Sequence, residues 1–155
     1  VDPGAYSYSN DPISNWLRFS TESHNTIEIN DTPQNMSEGW FQDWTDNNKF
    51  NFVKGVTQNV PGFKHTRETL FMKDSFSIVS DVVQAPDGKH KYQQNWHFLP
   101  AANPVLDAST KKVSTAFNDT NGNIQVVPAD PEQSTANLNK GYYSSAFYSV
   151  ADTKY

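Results

Sequence analysis

The residues best suited to chemistry stand close together near the start of the chain. Arg18, His24 and Asn25 bring a guanidinium, an imidazole and a carboxamide into one short string, directly before an alternating run at residues 26–29. Junctions between a loop and a strand commonly carry functional side chains, because a rigid scaffold positions them there. We therefore take this string as the candidate functional segment.

A divalent metal is the first ligand to consider for this string. The neutral imidazole of His24 can bind such an ion, and Asp2, which lies in another irregular stretch, could add a carboxylate. Two ligands are too few for a complete site. From composition and spacing alone, the favoured interpretation of His24 is a hydrogen-bonded loop histidine without a ligand.

Aromatic side chains offer a second kind of chemistry, the binding of sugars. Flat apolar rings match the C–H faces of pyranoses, so Tyr6, Tyr8, Trp16 and Trp40 could form a carbohydrate platform. The alternative is that these rings simply pack in the core, which is the usual role of aromatics this frequent in a sequence.

Other polar residues have weaker signals. His65 and Arg67 should share one face of a strand, either solvated or lining a cleft. His97 should share a polar strand face with Gln93 and Asn95. The acid and base candidates Glu22, Glu28 and Asp43 have no partner recognisable from spacing, and neither a Ser/His/Asp triad nor a phosphate-binding loop is present.

Composition limits the classes of function that fit. The 155 residues carry a net charge of -5, are 35% hydrophobic and 14% aromatic, and contain no cysteine. A length of this order predicts a single domain, over residues 1–155, that needs no disulfide. The negative charge argues against a nucleic-acid or anionic-membrane surface, and no apolar run is long enough to span a bilayer.

The pattern of the chain predicts an all-β fold. Apolar or alternating runs at residues 50–53, 63–72, 75–83 and 92–99 are separated by short turn sequences, which is typical of an antiparallel β-sandwich. A hairpin is predicted from residues 112–117 to 124–127, because the turn between them contains Asn121-Gly122. Residues 142–150 resemble a further strand.

Two stretches of the sequence do not show this strand pattern. The first 25 residues are predicted to be irregular, because they lack an amphipathic helical stripe and are interrupted by Pro3, Gly4 and Pro12. The aromatics Trp40, Phe41 and Trp44 could sit at helical spacing, but the Asp and Asn residues around them suit a loop equally well.

The order of these motifs resembles the C-terminal region of the heparinase II/III family. The family pattern is an Asp-x-Gly with a nearby Tyr, then Arg-x-Ser-Thr, His-Asn-Thr, a short strand and a Gln. The matching residues here are Asp2, Gly4, Tyr6, Tyr8, Arg18, Ser20, Thr21, His24, Asn25, Thr26 and Gln34. Further similarity at residues 65–67, 78–81 and 96–98 extends the resemblance over roughly the first 100 residues.

This resemblance implies a lyase of acidic polysaccharides. Full-length relatives join an N-terminal α/α toroid to a β-sandwich and cleave uronic-acid-containing chains, such as heparin, heparan sulfate or alginate, by β-elimination. The toroid largely supplies their base and acid. We therefore expect this chain to lack the toroid domain and its catalytic residues, and to be inactive by itself.

The resemblance also implies roles for particular residues. In zinc-containing members the aspartate of Asp-x-Gly and the histidine of His-Asn-Thr bind the metal, so Asp2 and His24 are the expected ligands. The third ligand is expected upstream, in a His-x-His segment. Members without zinc also exist, so the resemblance leaves open whether the intact parent binds zinc, and none is expected to be tightly bound by this chain. Tyr8, Arg18 and Asn25 are the expected substrate contacts.

Two other functions remain open at this point. One is a non-catalytic carbohydrate-binding module that uses Tyr and Trp platforms. The other is a structural or adhesion domain without a ligand. The sequence leaves open which uronide is cleaved, whether cleavage is endo or exo, the oligomeric state, and whether a bacterial source would place the protein in the cytoplasm, in the periplasm or outside the cell.

Overall fold

The computed structural model describes residues 1–118 and 122–155. Contacts divide the chain into two compact units, and each is described by itself. The first contains residues 1–26 and 94–155, and the second contains residues 27–93. Within the described ranges, no helix combines the length and the apolar character needed to cross a membrane.

A four-stranded antiparallel sheet forms most of the second unit. Its strands are β2 (Gly39–Asp46), β3 (Phe50–Thr57), β4 (Lys64–Met72) and β5 (Ser77–Gln84), which pair in the order of the sequence. β1 (Ile27–Ile29) and β6 (Tyr92–Gln94) make a separate two-stranded sheet. The buried apolar side chains of the second unit are those of Ile27, Ile29, Val56 and Val60.

The turns of this sheet follow from their residues. Asn47 accepts hydrogen bonds on its side-chain oxygen from the backbone N–H groups of Lys49 and Phe50, at 2.9 and 3.1 Å, which fixes the β2–β3 connection. Asp74 adopts a φ of 62° between β4 and β5, a conformation that Asp tolerates better than most residues. Short polar turns therefore connect neighbouring strands, as the sequence predicts.

The first unit contains a helix that was not predicted from the sequence. α1 (Pro12–Phe19) begins at the N-cap Asp11, whose side chain accepts a hydrogen bond of 2.9 Å from the backbone N–H of Ser14. Pro12 occupies the first turn, where its missing N–H is harmless. The prediction of an irregular stretch was wrong here, because Asp11-Pro12, which starts the helix, was interpreted as part of a loop.

Short strands complete the first unit. β7 (Val105–Leu106), β8 (Val113–Ser114) and β9 (Gln125–Val126) form an antiparallel sheet, and β10 (Lys140–Ala146) pairs antiparallel with β11 (Ser149–Lys154). The pairing of β8 with β9 confirms the strands of the predicted hairpin. Its turn falls partly outside the described residues, because residues 119–121 are not among them. Two 3-10 turns, Thr21–Ser23 and Pro100–Ala102, lie in the same unit.

Close backbone packing in this unit depends on glycine. Gly4 has a φ of +78°, and a Cβ there would lie 2.2 Å from the backbone oxygen of Ser144. The neighbouring Pro3 accepts a hydrogen bond of 2.7 Å from the N–H of Ser144, which holds the N-terminal segment against β10. Only a residue without a side chain fits this position, and it lies two residues after Asp2.

Candidate functional site

The predicted ligands Asp2 and His24 lie side by side in the first unit. The Oδ2 atom of Asp2 is 3.0 Å from the Nδ1 atom of His24. The other carboxylate oxygen of Asp2 accepts a hydrogen bond of 3.1 Å from the N–H of Gly4, which orients the side chain. His24 follows the 3-10 turn Thr21–Ser23, and its N–H donates to the oxygen of Thr21. The fold thus brings together two residues that are 22 positions apart.

Asp2 and His24 can supply two donors to a metal but not a complete site. Zinc sites in proteins use three or four protein ligands. No group of three histidine, cysteine, aspartate or glutamate side chains suited to a metal occurs in residues 1–118 and 122–155. The geometry alone is also that of a hydrogen-bonded loop histidine, the simpler interpretation of His24.

Asn25 fastens the segment that carries Asp2. Its side-chain N–H donates to the backbone oxygen of Val1 at 2.7 Å, and its side-chain oxygen accepts from the N–H of His97 at 2.6 Å. The nitrogen of Val1 in turn donates to the oxygen of His97 at 2.7 Å. These bonds give Asn25 a positioning role, and its expected contact with substrate stays a prediction.

A cluster around the buried His97 lies in the same unit and was not predicted as a group. The carboxylate of Glu22 accepts from the indole N–H of Trp16 at 2.7 Å and from the hydroxyl of Tyr155 at 3.2 Å. The His97 ring stacks on Tyr155 with centroids 4.7 Å apart. Trp16 and Glu22 are six positions apart, but His97 and Tyr155 are distant from them in sequence, so no spacing rule could have associated the four residues.

The protonation state of His97 follows from its partners. Its Nε2 lies 2.7 Å from the backbone oxygen of Glu22, which can only accept, so this nitrogen carries the proton. Its Nδ1 is buried and has no hydrogen-bond partner among the described residues. Burial lowers the pKa of His97 below its ordinary value of 6.5, although the bond to Glu22 opposes the shift. His97 is therefore a neutral, structural imidazole.

The regular strand predicted through residue 99 was wrong beyond Gln94. β6 ends at Gln94, and both His97 and Phe98 are buried instead of facing opposite sides. The N–H of Asn95 donates to the backbone oxygen of Thr26, and the N–H of His97 donates to the side-chain oxygen of Asn25. These bonds replace regular strand pairing, so side chains no longer alternate between two faces after Gln94.

Tyr8 and Arg18 form a second group in the first unit. The Arg18 guanidinium carbon lies 5.2 Å from the ring centroid of Tyr8 and 4.5 Å from that of Phe19. Both distances are within the range of cation–π interactions. The predicted site residues of the first unit thus fall into two contact groups, one of Asp2, His24 and Asn25, and one of Tyr8 and Arg18.

His65 and Arg67 share one face of β4, as predicted, and both bind Asp81. His65 Nε2 lies 2.6 Å from Asp81 Oδ1, and Arg67 makes two bonds to the Asp81 carboxylate at 2.7 and 2.9 Å. Asp81 is only 5% exposed. The Asp81 carboxylate therefore engages both side chains, and this cluster is a structural element of the sheet.

The proposed aromatic platform is only partly assembled. Trp40 belongs to the second unit, whereas Tyr6, Tyr8 and Trp16 belong to the first. Trp16 packs edge-to-face against Tyr142, so part of its ring is engaged within the first unit. The second unit contains an open groove of about 490 Å³ that is lined by other aromatic residues. This groove was not predicted from the sequence. The lining includes Phe41, Trp44, Phe52 and Phe71.

Comparison with known proteins gives a consistent result. Residues 1–153 match the family model described as heparinase II/III-like, C-terminal. A heparin-sulfate lyase of Pedobacter heparinus is 22% identical over 150 residues, which are 94% of this chain and 22% of that protein. The chain therefore spans about a fifth of the length of this curated relative.

Solved structures agree on the fold. The heparan sulfate lyase HepC from Pedobacter heparinus matches with a TM-score of 0.88 at 21% identity, and a heparinase III gene product matches with 0.85 at 20% identity. Each match covers 99% of this chain and 24% of the other. At this identity the likeness concerns the fold alone, and it confirms the predicted fold class, an all-β antiparallel sandwich.

Proposed function

The chain belongs to the heparinase II/III-like, C-terminal family, and we propose that it is the β-sandwich domain of a longer polysaccharide lyase. The substrate is a uronic-acid-containing polysaccharide of the heparan sulfate or alginate kind. The observation that carries this proposal is the family match over residues 1–153, together with the pairing of Asp2 and His24 at the positions where zinc-containing members have ligands.

The proposed reaction is a β-elimination. A base removes the proton from C5 of the uronate, the bond between C4 and the glycosidic oxygen breaks, and an acid returns a proton to that oxygen. A double bond between C4 and C5 remains. The base works only if the adjacent carboxylate is neutralised, because its negative charge opposes formation of the carbanion.

The acid and base of this reaction are proposed to come from a toroid domain of the same protein. One acid or base candidate of this chain, Glu22, is already engaged, because its carboxylate accepts hydrogen bonds from Trp16 and Tyr155. The neighbouring His97 is engaged as well, since its Nε2 is bonded to a backbone oxygen. The sandwich therefore contributes binding and positioning. By itself the chain is expected not to turn over substrate.

Asp2 and His24 are proposed to order the wall of the substrate cleft. In a zinc-containing parent they would be two of the ligands, and the third would come from another part of the protein. A bound zinc would supply positive charge and rigidity, while the elimination itself needs no metal-bound nucleophile. Tyr8, Arg18 and Asn25 are the proposed substrate contacts. Asn25 belongs to the group of Asp2 and His24, where its bonds to Val1 and His97 fix its side chain.

The test is an absorbance assay for the unsaturated uronate. The parent protein and this chain are each incubated with heparan sulfate, hyaluronan and alginate, with neutral dextran as the control. We expect absorbance to rise with the parent and at least one uronide, and not with the chain alone. The proposal is wrong if the parent cleaves none of the three.

A carbohydrate-binding module without a lyase remains the second candidate. It is favoured by the groove on the four-stranded sheet, where Phe41 and Trp44 are 80% and 71% exposed. This alternative expects the chain to bind neutral and acidic glycans alike, and expects no unsaturated product from the parent.

A further inference from the structure

The tip of the β10–β11 hairpin is built from two aromatic residues. Ala146 pairs with Ser149, so Phe147 and Tyr148 form a two-residue turn. Tyr148 has a φ of 58°, a region that glycine and asparagine occupy readily and bulky residues avoid. Their side chains are nevertheless 51% and 76% exposed. A turn that breaks the local rules to present two rings is a candidate functional feature.

Contacts hold this hairpin tip in place. The N–H of Tyr148 donates to the backbone oxygen of Tyr6 at 2.8 Å, and the two tyrosine rings meet edge-to-face with centroids 5.8 Å apart. Phe147 lies against Tyr8 at 5.2 Å. The rings are therefore positioned by the N-terminal segment.

Arg18 also contacts the ring of Tyr8. Its guanidinium stacks over Tyr8 and Phe19, and no carboxylate in residues 1–118 or 122–155 forms an ion pair with it. A guanidinium that contacts aromatic rings through its face can still donate hydrogen bonds through its in-plane N–H groups. Those groups match the two oxygens of a carboxylate or sulfate.

The position of Arg18 has a simpler partial explanation. It lies in the last turn of α1, where a positive charge interacts favourably with the free carbonyl groups of the helix end. That explanation accounts for a cation, but it does not account for the exposed rings that continue from Tyr8 to the hairpin tip. A ligand with both an anionic group and apolar C–H faces accounts for both.

We propose that Arg18, Tyr8, Phe147 and Tyr148 form a subsite for an acidic saccharide, here called the hairpin-tip subsite. Arg18 binds the anionic group of one sugar unit, and the rings of Phe147 and Tyr148 contact the C–H face of a neighbouring unit. This rests on the proposed function for the class of ligand, and it adds the hairpin tip, which lies more than 120 residues after Arg18, to the binding surface.

Binding titrations of the 155-residue chain test this subsite. The probes are hyaluronan, which carries carboxylates only, heparan sulfate, which carries carboxylates and sulfates, dextran sulfate and neutral dextran. We expect Arg18→Gln to weaken binding of the acidic probes about tenfold or more, while Lys89→Gln, which changes the net charge equally, has little effect. Loss with hyaluronan identifies carboxylate recognition, and loss with dextran sulfate alone identifies sulfate recognition.

Tyr148→Asn separates binding from folding. Asparagine suits the positive φ, so the variant should unfold at the same or a higher temperature than the wild type. We nevertheless expect its affinity for the acidic probes to fall about fivefold, because a ring contact is lost. The substitution Tyr92→Asn, at an exposed tyrosine of the second unit, is the matched control.

The subsite is overturned if Arg18→Gln and Tyr148→Asn bind as the wild type does, if the control variants lose as much affinity, or if the wild-type chain binds none of the acidic probes. These results are independent of the elimination assay. If the parent cleaves a uronide and both variants bind the acidic probes as the wild type does, the subsite alone is refuted. If the wild-type chain binds the acidic probes and the parent forms no unsaturated product, the proposed lyase activity alone is refuted.

Discussion

Asp2 and His24 are in contact because of two other residues. Gly4 permits the close approach of the N-terminal segment to β10, and Asn25 bonds that segment to the backbone at His97. The proximity of Asp2 and His24 followed from the resemblance to a family and not from spacing, since 22 residues separate them. The bonds of Asn25 could not have been foreseen, because they join backbone groups that are distant in sequence.

A zinc titration tests the metal prediction at this scale. With two donors, the chain should bind Zn²⁺ with a Kd weaker than about 1 µM, whereas complete structural sites bind far more tightly. Asp2→Asn and His24→Gln should each weaken any residual binding, and His90→Gln should not. Competition with a chelating dye measures this. Tight binding that survives both substitutions would contradict the assignment of these ligands.

The neutral state of His97 predicts a pH dependence of stability. Because burial lowers its pKa in the folded state, the unfolded chain binds the proton more readily. The contribution of His97 to stability is therefore complete above about pH 6.5 and is lost as the pH falls toward its folded-state pKa. Thermal unfolding between about pH 5 and pH 7.5 should have a smaller pH slope in His97→Phe than in the wild type. His90→Phe is the control, and an unchanged slope in His97→Phe would contradict the assignment.

At the scale of elements, the sequence predicted those strands that alternate regularly between clear turns. β3, β4 and β5 were expected close to their observed positions. β2 was missed, because a register shift between Phe41 and Asp43 breaks the period of two on which strand recognition depends. The prediction of a helix or loop for Trp40, Phe41 and Trp44 was wrong for this reason. Residues 142–150 proved to be parts of two strands joined by the Phe147-Tyr148 turn.

Gly4→Ala tests the close packing of the N-terminal segment on β10. The added Cβ would meet the oxygen of Ser144, and the positive φ would be strained, so the free energy of unfolding should fall by about 2 to 4 kcal/mol. Gly122→Ala is the matched control, because no atom lies within 4 Å of the added Cβ there. Denaturant unfolding measures both, and equal effects would refute this explanation of Gly4.

The cluster on the four-stranded sheet gives a second prediction for an element. Asp81→Asn removes the charge that neutralises Arg67 and bonds His65 in a buried setting, so it should destabilise by about 3 kcal/mol. Asp46→Asn removes a partner of Lys73 that is 54% exposed, and should change stability by about 0.5 kcal/mol or less. If urea midpoints shift equally in the two variants, the cluster does not hold the sheet.

At the scale of the whole molecule, the negative net charge of the chain has to be reconciled with the proposed binding of an acidic polysaccharide. A chain with a net charge of -5 repels a polyanion at long range, so recognition of an acidic polysaccharide must depend on local cations. In the proposed subsite Arg18 is this cation, because none of the described carboxylates forms an ion pair with it, whereas Arg67 is bound to Asp81. The chain covers 24% of the solved relative HepC, and in the proposed function its part is binding, with the proton transfers assigned to another domain.

The most direct measurement follows affinity and product formation together in one mixture of this chain with heparan sulfate. We predict saturable binding that neutral dextran does not compete for, with no rise in the absorbance of unsaturated uronate. Product formed by the chain alone would place the acid and base among its own residues. Absence of binding in this mixture, and in the same measurement repeated with hyaluronan and with alginate, would contradict a role in recognising acidic polysaccharides.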